Sequence, residues 1–384
     1  MSKPLVLTCD IGTQSARALL VDPDGRIVDV VQSKYAEPYF SKEPGWAEQK
    51  PNFYFDRLCE CCRELCARSN ALLPDVIAMT ITVIRDTVVC LDANNEPLRD
   101  IILWLDKRTV DPNGAMPAKN MMLFKVAGME PTAKVVYAAS VGNWIMRHEP
   151  EIWARTAKYV MLPTYLNYKL TGNLIDSASN QIGHIPFDYK NRRWMKPGSL
   201  TRCFCDVPNE KLCDLVPSGT VIGTVTDEVC ALTGIPAGLP LISTGSDKGC
   251  ETLGLAVVDS DKASISLGTT ATIQFSTTEY VEPQQFLPAY PGVLNDHYNP
   301  EIEIYRGLWL LSWFVKEFGT ADAIDAKEKG MAPEALLDER IRDLPAGSDG
   351  LLLQPYWTAG ILHPDSLGAV IGFSDYHTRY HFYR

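Results

Sequence analysis

Between Pro4 and Tyr35 the chain alternates apolar runs with short polar turns. Leu5-Val6-Leu7 is an apolar run of the kind that makes a buried strand. It meets Asp10-Ile11-Gly12-Thr13-Gln14-Ser15, a carboxylate, a glycine and three small or polar side chains. The chain then returns through Ala16 to Val21, turns at Asp22-Pro23-Asp24-Gly25 and leaves through Ile27 to Val31. Proline presets φ in such a turn and glycine accepts a positive φ. The segment therefore predicts strand, tight polar turn, strand, turn, strand, with Asp10 at the tip of the first strand.

Further along, the pattern predicts a helix over 51–68, a strand over 74–82, a second over 88–91 and a short one over 101–104. A largely helical region follows over 118–172, broken and recapped at His148-Glu149-Pro150-Glu151. Residues 176–180 read as a polar loop, and turn-rich stretches at 217–223 and 233–238 place a domain boundary close to Leu239. The expected domains are thus 1–239 and 240–384. The opening pattern then recurs. Pro240 to Gly245 is a strand running into Ser246-Asp247-Lys248-Gly249 and a helix. Ala263 to Leu267 is another, ending in Gly268-Thr269-Thr270 and returning through Ala271 to Phe275. Two halves, each opening on an acidic or Gly-Thr turn between strands, imply a duplicated architecture that clamps a nucleotide in a cleft.

Bulk properties narrow the partners. A chain of 384 residues is long enough for two cores, and 46% hydrophobic with 22% charged residues is ordinary for a globular protein. A net charge of −11 argues against a nucleic-acid or anionic-membrane surface and favours a small ligand held by a few local donors. No apolar run approaches membrane-spanning length and the N-terminus lacks the marks of a signal peptide, so a cytoplasmic protein is expected. Eleven cysteines are an odd number. Cys59, Cys62 and Cys66 fall at helical spacing beside Leu58 and Leu65, which reads as packing rather than metal binding. Cys203, Cys205 and Cys213 have no partner pair at a zinc spacing.

The turn after Asp10 suits a phosphate and a metal. Gly12 lets the backbone approach an anion, Thr13 and Ser15 add hydroxyl donors, and Asp10 offers a hard oxygen to magnesium. A plain hairpin with a polar tip accounts for the stretch equally well. It is not a Walker loop, because no Gly-Lys-Ser/Thr follows.

Both turns together resemble the FGGY family of carbohydrate kinases, which includes glycerol kinases and xylulokinases. The resemblance runs from near Leu5 to the last residue. Asp10 to Arg17 resembles the first phosphate loop, and Pro44-Gly45-Trp46-Ala47-Glu48-Gln49 resembles a family hallmark. Leu103-Trp104-Leu105-Asp106-Lys107-Arg108 fits an alternation of tryptophan, aspartate and arginine. His148 to Trp153 with Tyr165 to Gly172 is close to the xylulokinase-like pattern. Gly245 to Gly249 and Gly268 to Thr270 look like the catalytic-base turn and the second phosphate loop.

This resemblance implies an α/β, actin-like and ribonuclease-H-like fold and an ATP-dependent phosphorylation of a sugar or polyol hydroxyl. Asp247 would be the base, with a helix-capping role compatible with it. Asp10 would hold Mg²⁺. Gly12, Thr13, Gln14, Ser15, Gly268, Thr269 and Thr270 would contact the phosphates of ATP, with Arg17 orienting the turn or countering charge. Arg85 and Asp86 would bind the polyol hydroxyls, with Trp104 over the apolar face of the substrate and Lys248 beside the base. A surface ion pair for Arg85 and Asp86 and a core position for Trp104 are the competing reading. Tyr137 and the loop 176–180 are further substrate-side candidates.

Three departures qualify the resemblance. Lys248 stands where glycerol kinases have Gln and xylulokinases Asn, and a cation there would depress the pKa of Asp247 and favour an acidic or keto substrate. Val141 replaces a lysine three residues before Trp144. Gly350 to Trp357, then His363-Pro364-Asp365 and Gly368, resemble the approach to a second signature that Arg384 interrupts, so an incomplete second domain without its adenine-binding segment is expected. Two other classes stay open: a catalytically silent remnant that binds a sugar or a protein, and an actin- or chaperone-like ATPase. An open half-domain would favour a homodimer.

Overall fold

The computed structural model of this protein describes residues 3–268, 270–284, 287–304, 306–357 and 366–384. Thr269, His363 and Asp365 lie outside the described residues. The chain forms two compact units, one of Met1–Lys262 with Ser276–Pro300, the other of Ala263–Phe275 with Glu301–Arg384. A single cut at Leu239 coincides with neither, because the strand that follows it pairs back into the first unit's sheet.

The first unit opens as its pattern predicts, with β1 (Leu5–Ile11), β2 (Ser15–Val21) and β3 (Ile27–Lys34) in an antiparallel meander. β4 (Glu48–Gln49) and α1 (Phe53–Arg68) follow, then β5 (Val76–Val83), β6 (Val88–Leu91) and β7 (Ile101–Ile102). The helical region holds α2 (Ala118–Val126), α3 (Glu130–Ala139), α4 (Val141–His148), α5 (Pro150–Arg155) and α6 (Leu162–Thr171). It is interrupted by β8 (Lys158–Met161), which pairs with β6; its apolar run is too short for periodicity to tell strand from helix. Then come β9 (Ile175–Ser177), β10 (Phe187–Asp188), β11 (Arg193–Trp194), β12 (Asp214–Val216), β13 (Val221–Thr224), α7 (Asp227–Thr233), β14 (Pro240–Ile242) and α8 (Asp247–Gly254).

Six strands make the main sheet in the order β13-β14-β5-β1-β2-β3, with β14, β5 and β1 parallel. Along β1, Leu5, Leu7, Cys9 and Ile11 are buried while Thr8 and Asp10 face the other way. α1 covers the apolar face with Tyr54, Phe55, Leu58, Cys59, Cys62, Leu65 and Cys66, and Cys62 Sγ lies 3.5 Å from Cys9 Sγ. The helical cysteines are therefore packing residues, and no group of three or more metal-ligating side chains is assembled among the described residues. No described helix is long and apolar enough to cross a membrane.

The second unit carries a three-stranded antiparallel sheet of β15 (Ser264–Leu267), β16 (Ala271–Gln274) and β19 (Glu301–Ile304). β17 (Tyr290–Pro291) and β18 (Tyr298–Asn299), between them in sequence, belong to the first unit. Ile265, Ile273 and Ile302 stand side by side in register on the exposed face, as do Leu267, Ala271 and Ile304, while Ser264, Thr272, Gln274 and Glu301 are buried on the other. α9 (Trp309–Phe318), α10 (Thr320–Glu328) and α11 (Pro333–Arg340) follow. Buried Asp322 of α10 receives Arg340, the Arg379 Nε at 3.1 Å and the Tyr380 hydroxyl at 3.0 Å.

Candidate active site

Parallel strands deliver the residues after their C-terminal ends to one edge of a sheet, the place where α/β sheets bind ligands. Here β1, β5 and β14 are neighbours and deliver three acidic positions. Asp10 is the penultimate residue of β1, Arg85-Asp86 come two and three residues after β5, and Asp247 opens α8 beyond β14. Register keeps them close. Asp10 is the partner of Thr82, whose hydroxyl donates to the Gly245 carbonyl at 3.4 Å.

The turn between β1 and β2 is closed by the Gly12 amide donating to the Ser15 carbonyl at 3.0 Å. Arg17 Nη1 lies 2.6 Å from Asp10 Oδ2 across the hairpin, so Arg17 steadies the carboxylate rather than standing apart as a free cation. Asp10 Oδ1 has no hydrogen bond among the described residues, and a single hard oxygen completed by phosphate oxygens is a donor set that suits Mg²⁺. Trp104 Nε1 donates to Thr13 Oγ1 at 3.0 Å. Trp104 is thus tied to the phosphate turn, a partner its position in sequence does not indicate. Gln14 is exposed and accepts the Tyr35 amide on its carbonyl at 2.9 Å.

Asp247 is the first residue of α8, whose N-cap is Ser246, its Oγ accepting the Gly249 amide at 3.2 Å. The N-cap is therefore the neighbouring serine, while Asp247 Oδ1 accepts the Lys248 amide at 2.8 Å. Burial pushes its carboxyl above the ordinary 3.8, against the pull of Arg85 and of the Lys248 amide. The Lys248 charge lowers it as expected, but burial outweighs that pull; Lys248 Nζ sits 2.9 Å from Glu251 Oε2 on the next turn. Arg85 Nε stands 3.7 Å from Asp247 Oδ1, and its guanidinium lies 5.4 Å from the Tyr290 ring. Gly245 has no room for a side chain, since a Cβ there would come 2.7 Å from Val293 Cγ2.

Asp86 sits in the left-handed region at φ 47. Its amide donates to the Ile182 carbonyl at 3.1 Å, and both of its oxygens are held by His184. The His184 amide meets Oδ1 at 3.0 Å and the ring Nδ1 meets Oδ2 at 2.8 Å. Burial alone would raise the Asp86 carboxyl, but the charge and hydrogen bonds of His184, with Arg85 behind them, hold it below 3.8. Gly183, at φ 148, packs directly on this carboxylate and is itself gripped by the Tyr189 hydroxyl. Sequence reasoning found Asp86 and missed its partner; Gly183 beside a histidine was the only local signal.

The other candidates divide. Asp176, expected in a polar loop, is fully buried; Thr164, Asn167, Ser177, Asn180 and Gln181 all donate to it, and burial still pushes it up to about 6. It anchors the segment whose Ser179 carbonyl accepts the Ser246 amide at 3.2 Å, so it supports the base turn from below. The hallmark segments are also supporting structure. Buried Glu48 binds Arg99 Nη2 at 2.8 Å and Arg108 Nη2 at 3.0 Å. The Arg108 guanidinium lies 3.8 Å from the Trp46 ring and 4.6 Å from that of Trp144. Asp106 forks Arg108 and accepts the Ala47 amide, which pins the loop that ends in Trp104. Tyr137 is half-buried on α3. In the second unit, Gly268 closes its turn by donating to the Thr270 carbonyl at 3.0 Å and accepts the Leu308 amide at 2.9 Å, a tight strand-to-strand turn like that after Asp10.

Comparison with known proteins places the chain among sugar kinases. The chain is 26% identical over 374 residues to an uncharacterised sugar kinase, YgcE, of Escherichia coli strain K12, covering 97% of this chain and 68% of that protein. It is 24% identical over 395 residues to the xylulose kinase of Bacillus subtilis strain 168, covering 99% and 74%. The crystal structure of a xylulose kinase from Rhodospirillum rubrum superposes with a TM-score of 0.79 at 25% identity, covering 99% of this chain and 75% of that one. Residues 5–254 match the family model described as the FGGY family of carbohydrate kinases, N-terminal domain. On this match across well over half of its length, the chain belongs to the FGGY family of carbohydrate kinases, enzymes that use ATP to phosphorylate a sugar.

Proposed function

We propose that this chain transfers the γ-phosphoryl group of ATP to a hydroxyl of a polyol or ketose, with Asp247 as the base. The observation that carries this reading is the convergence of Asp10, Arg85-Asp86 and Asp247 at the ends of three adjacent parallel strands, with Arg85 bridging toward Asp247. Phosphoryl transfer asks the protein chiefly for positioning and charge stabilisation. Asp86 would accept hydrogen bonds from one or two substrate hydroxyls, and Arg85 would donate to them. As the substrate oxygen bonds to phosphorus and the bond to ADP breaks, the hydroxyl proton passes to Asp247. A carboxyl raised by burial is a better proton acceptor at neutral pH than an ordinary one. Thr13 and the amides of the turn over Gly12 to Ser15 would hold phosphate oxygens; the Gly268–Thr270 turn of the second unit, taken by itself, is of the same anion-holding kind.

Asp10 would hold Mg²⁺ through its free oxygen; the ion would supply charge neutralisation on the phosphates. Use of ATP as donor fits a cytoplasmic protein. The relatives named xylulose kinases make a ketopentose the first acceptor to try. Lys248, engaged with Glu251, gives no special reason to favour an acidic substrate. The test is ADP release from ATP–Mg²⁺ across a panel of ketoses, polyols and sugar acids, with calorimetric titration of ATP–Mg²⁺ alongside. Turnover that requires one acceptor supports the reading. Sugar-independent hydrolysis would favour a plain ATPase, and no nucleotide binding would favour a silent sugar-binding protein.

A further inference from the structure

We propose that His184 is a substrate-contacting, specificity-determining residue, held by Asp86 through Nδ1 so that Nε2 donates a hydrogen bond to a hydroxyl or carbonyl oxygen of the acceptor sugar. This rests on the kinase reading above. Three observations carry it.

First, the ring orientation is over-determined. His184 approaches Asp86 with its amide at 3.0 Å and its Nδ1 at 2.8 Å, so the backbone and the ring are fixed on one carboxylate. An imidazole bound through Nδ1 presents Nε2 on the far side. Nε2 has no hydrogen bond among the described residues, and the side chain keeps 30% exposure beside a carboxylate of 28%. Second, the surroundings are shaped for this contact. Gly183 is the only residue type that fits against Asp86 there, and Tyr189 both donates to the Gly183 carbonyl and accepts its amide. Asp86 adopts a left-handed conformation where its amide meets the Ile182 carbonyl, a strain of the sort found where a side chain must be aimed. Third, the pair is linked to the base through Arg85. Arg85, next to Asp86 in sequence, reaches toward Asp247, so a sugar spanning these groups would meet Asp86, His184, Arg85 and Asp247 on one side.

The charge state follows from the groups facing the pair. These are Asp86 and Arg85 after β5, the Tyr189 hydroxyl, and the buried Tyr159 of β8 and Cys205. Burial pulls the imidazole down, but the Asp86 charge and its hydrogen bond lift it above the ordinary 6.5. Protonated, the ring donates from both nitrogens. On losing a proton it keeps Nδ1–H for Asp86 and loses the one on Nε2, so the donor to the sugar disappears as pH rises through the His184 value.

The experiment compares wild type with His184→Asn and His184→Gln at saturating ATP–Mg²⁺. The acceptor is D-xylulose, or whichever sugar of the panel has the highest kcat/KM. An asparagine amide can replace Nδ1 on Asp86 and reaches no further, whereas a glutamine amide extends to about the place of Nε2. The expected result is a KM for the sugar raised about 10-fold or more in His184→Asn, with kcat within about 2-fold. Part of that loss returns in His184→Gln. The wild-type KM rises with pH above 6.5, and neither variant shows that rise. A His184→Asn enzyme with wild-type KM would overturn the proposal and reduce His184 to a positioning residue for Asp86. So would a KM rise with an unchanged pH profile. Melting temperatures identify a variant that misfolds, and the pH profile of the wild type then decides alone. Wild-type protein inactive with every acceptor refutes the kinase reading itself, a different outcome from an active wild type with indifferent variants.

Discussion

Replacing Gly183 by alanine tests how the substrate side of the site is built. A Cβ at this position would lie 2.2 Å from Asp86 Oδ1, 2.8 Å from its Cγ and 3.0 Å from its Cα. Ordinary contact begins near 3.4 Å, so the carboxylate oxygen must retreat by about 1.2 Å. That oxygen accepts the His184 amide at 3.0 Å, and its companion meets Nδ1 at 2.8 Å. A displacement of that size breaks at least one of these bonds. Alanine also tolerates φ 148 poorly. Backbone strain of about 1–3 kcal/mol adds to about 1.5–3 kcal/mol for a charge-assisted hydrogen bond. Partial exposure of Asp86 lowers that second figure, which leaves a total of roughly 2–5 kcal/mol. Denaturant unfolding measures it, and steady-state kinetics should show KM for the sugar raised with a smaller change in kcat. A double-mutant cycle with Asp86→Ala isolates the cause: without the carboxylate, Gly183→Ala should cost only the strain of about 1–3 kcal/mol. An equal cost in both backgrounds, or a single variant with unchanged stability and KM, would refute the clash as the reason for glycine.

Other outcomes follow from the same geometry. Asp247→Asn removes the proton acceptor and should lower kcat by about 10²–10⁴-fold with binding retained; the wild-type kcat/KM should fall as pH drops through a value above 3.8, and the variant's residual rate should lack that limb. Equal kcat in the two proteins would exclude Asp247 as the base. Glu48→Gln weakens one side of a buried cluster in which Arg108 keeps Asp106 and Arg99 keeps Glu149, and should destabilise by about 1–3 kcal/mol in denaturant unfolding, whereas an unchanged midpoint would show the Glu48 charge to be dispensable. Asp176 is raised in the folded state from 3.8 to about 6, so its titration favours folding below 3.8 and that contribution is lost as pH rises to about 6. Relative to Asp176→Asn, wild type should lose on the order of 3 kcal/mol across that window; parallel stability–pH curves would contradict this.

Local chemistry made much of this protein readable in advance. The meander from Leu5 to Lys34, the tip position of Asp10 and the packing cysteines of α1 depend on side-chain periodicity and turn residues within a few positions of one another. The family motifs are equally local, which is why Asp10, Arg85-Asp86 and Asp247 stood out. Tertiary structure alone decided their partners. His184 clasps Asp86 across 98 positions, Trp104 reaches Thr13 across 91, and Thr82 meets Gly245 across 163. The burial of Asp176, the place of β14 beside β5 and the division of the chain into its two units also needed the fold. Periodicity records which face of an element avoids water; it carries no information on which distant element supplies the cover, or which donor answers a buried carboxylate.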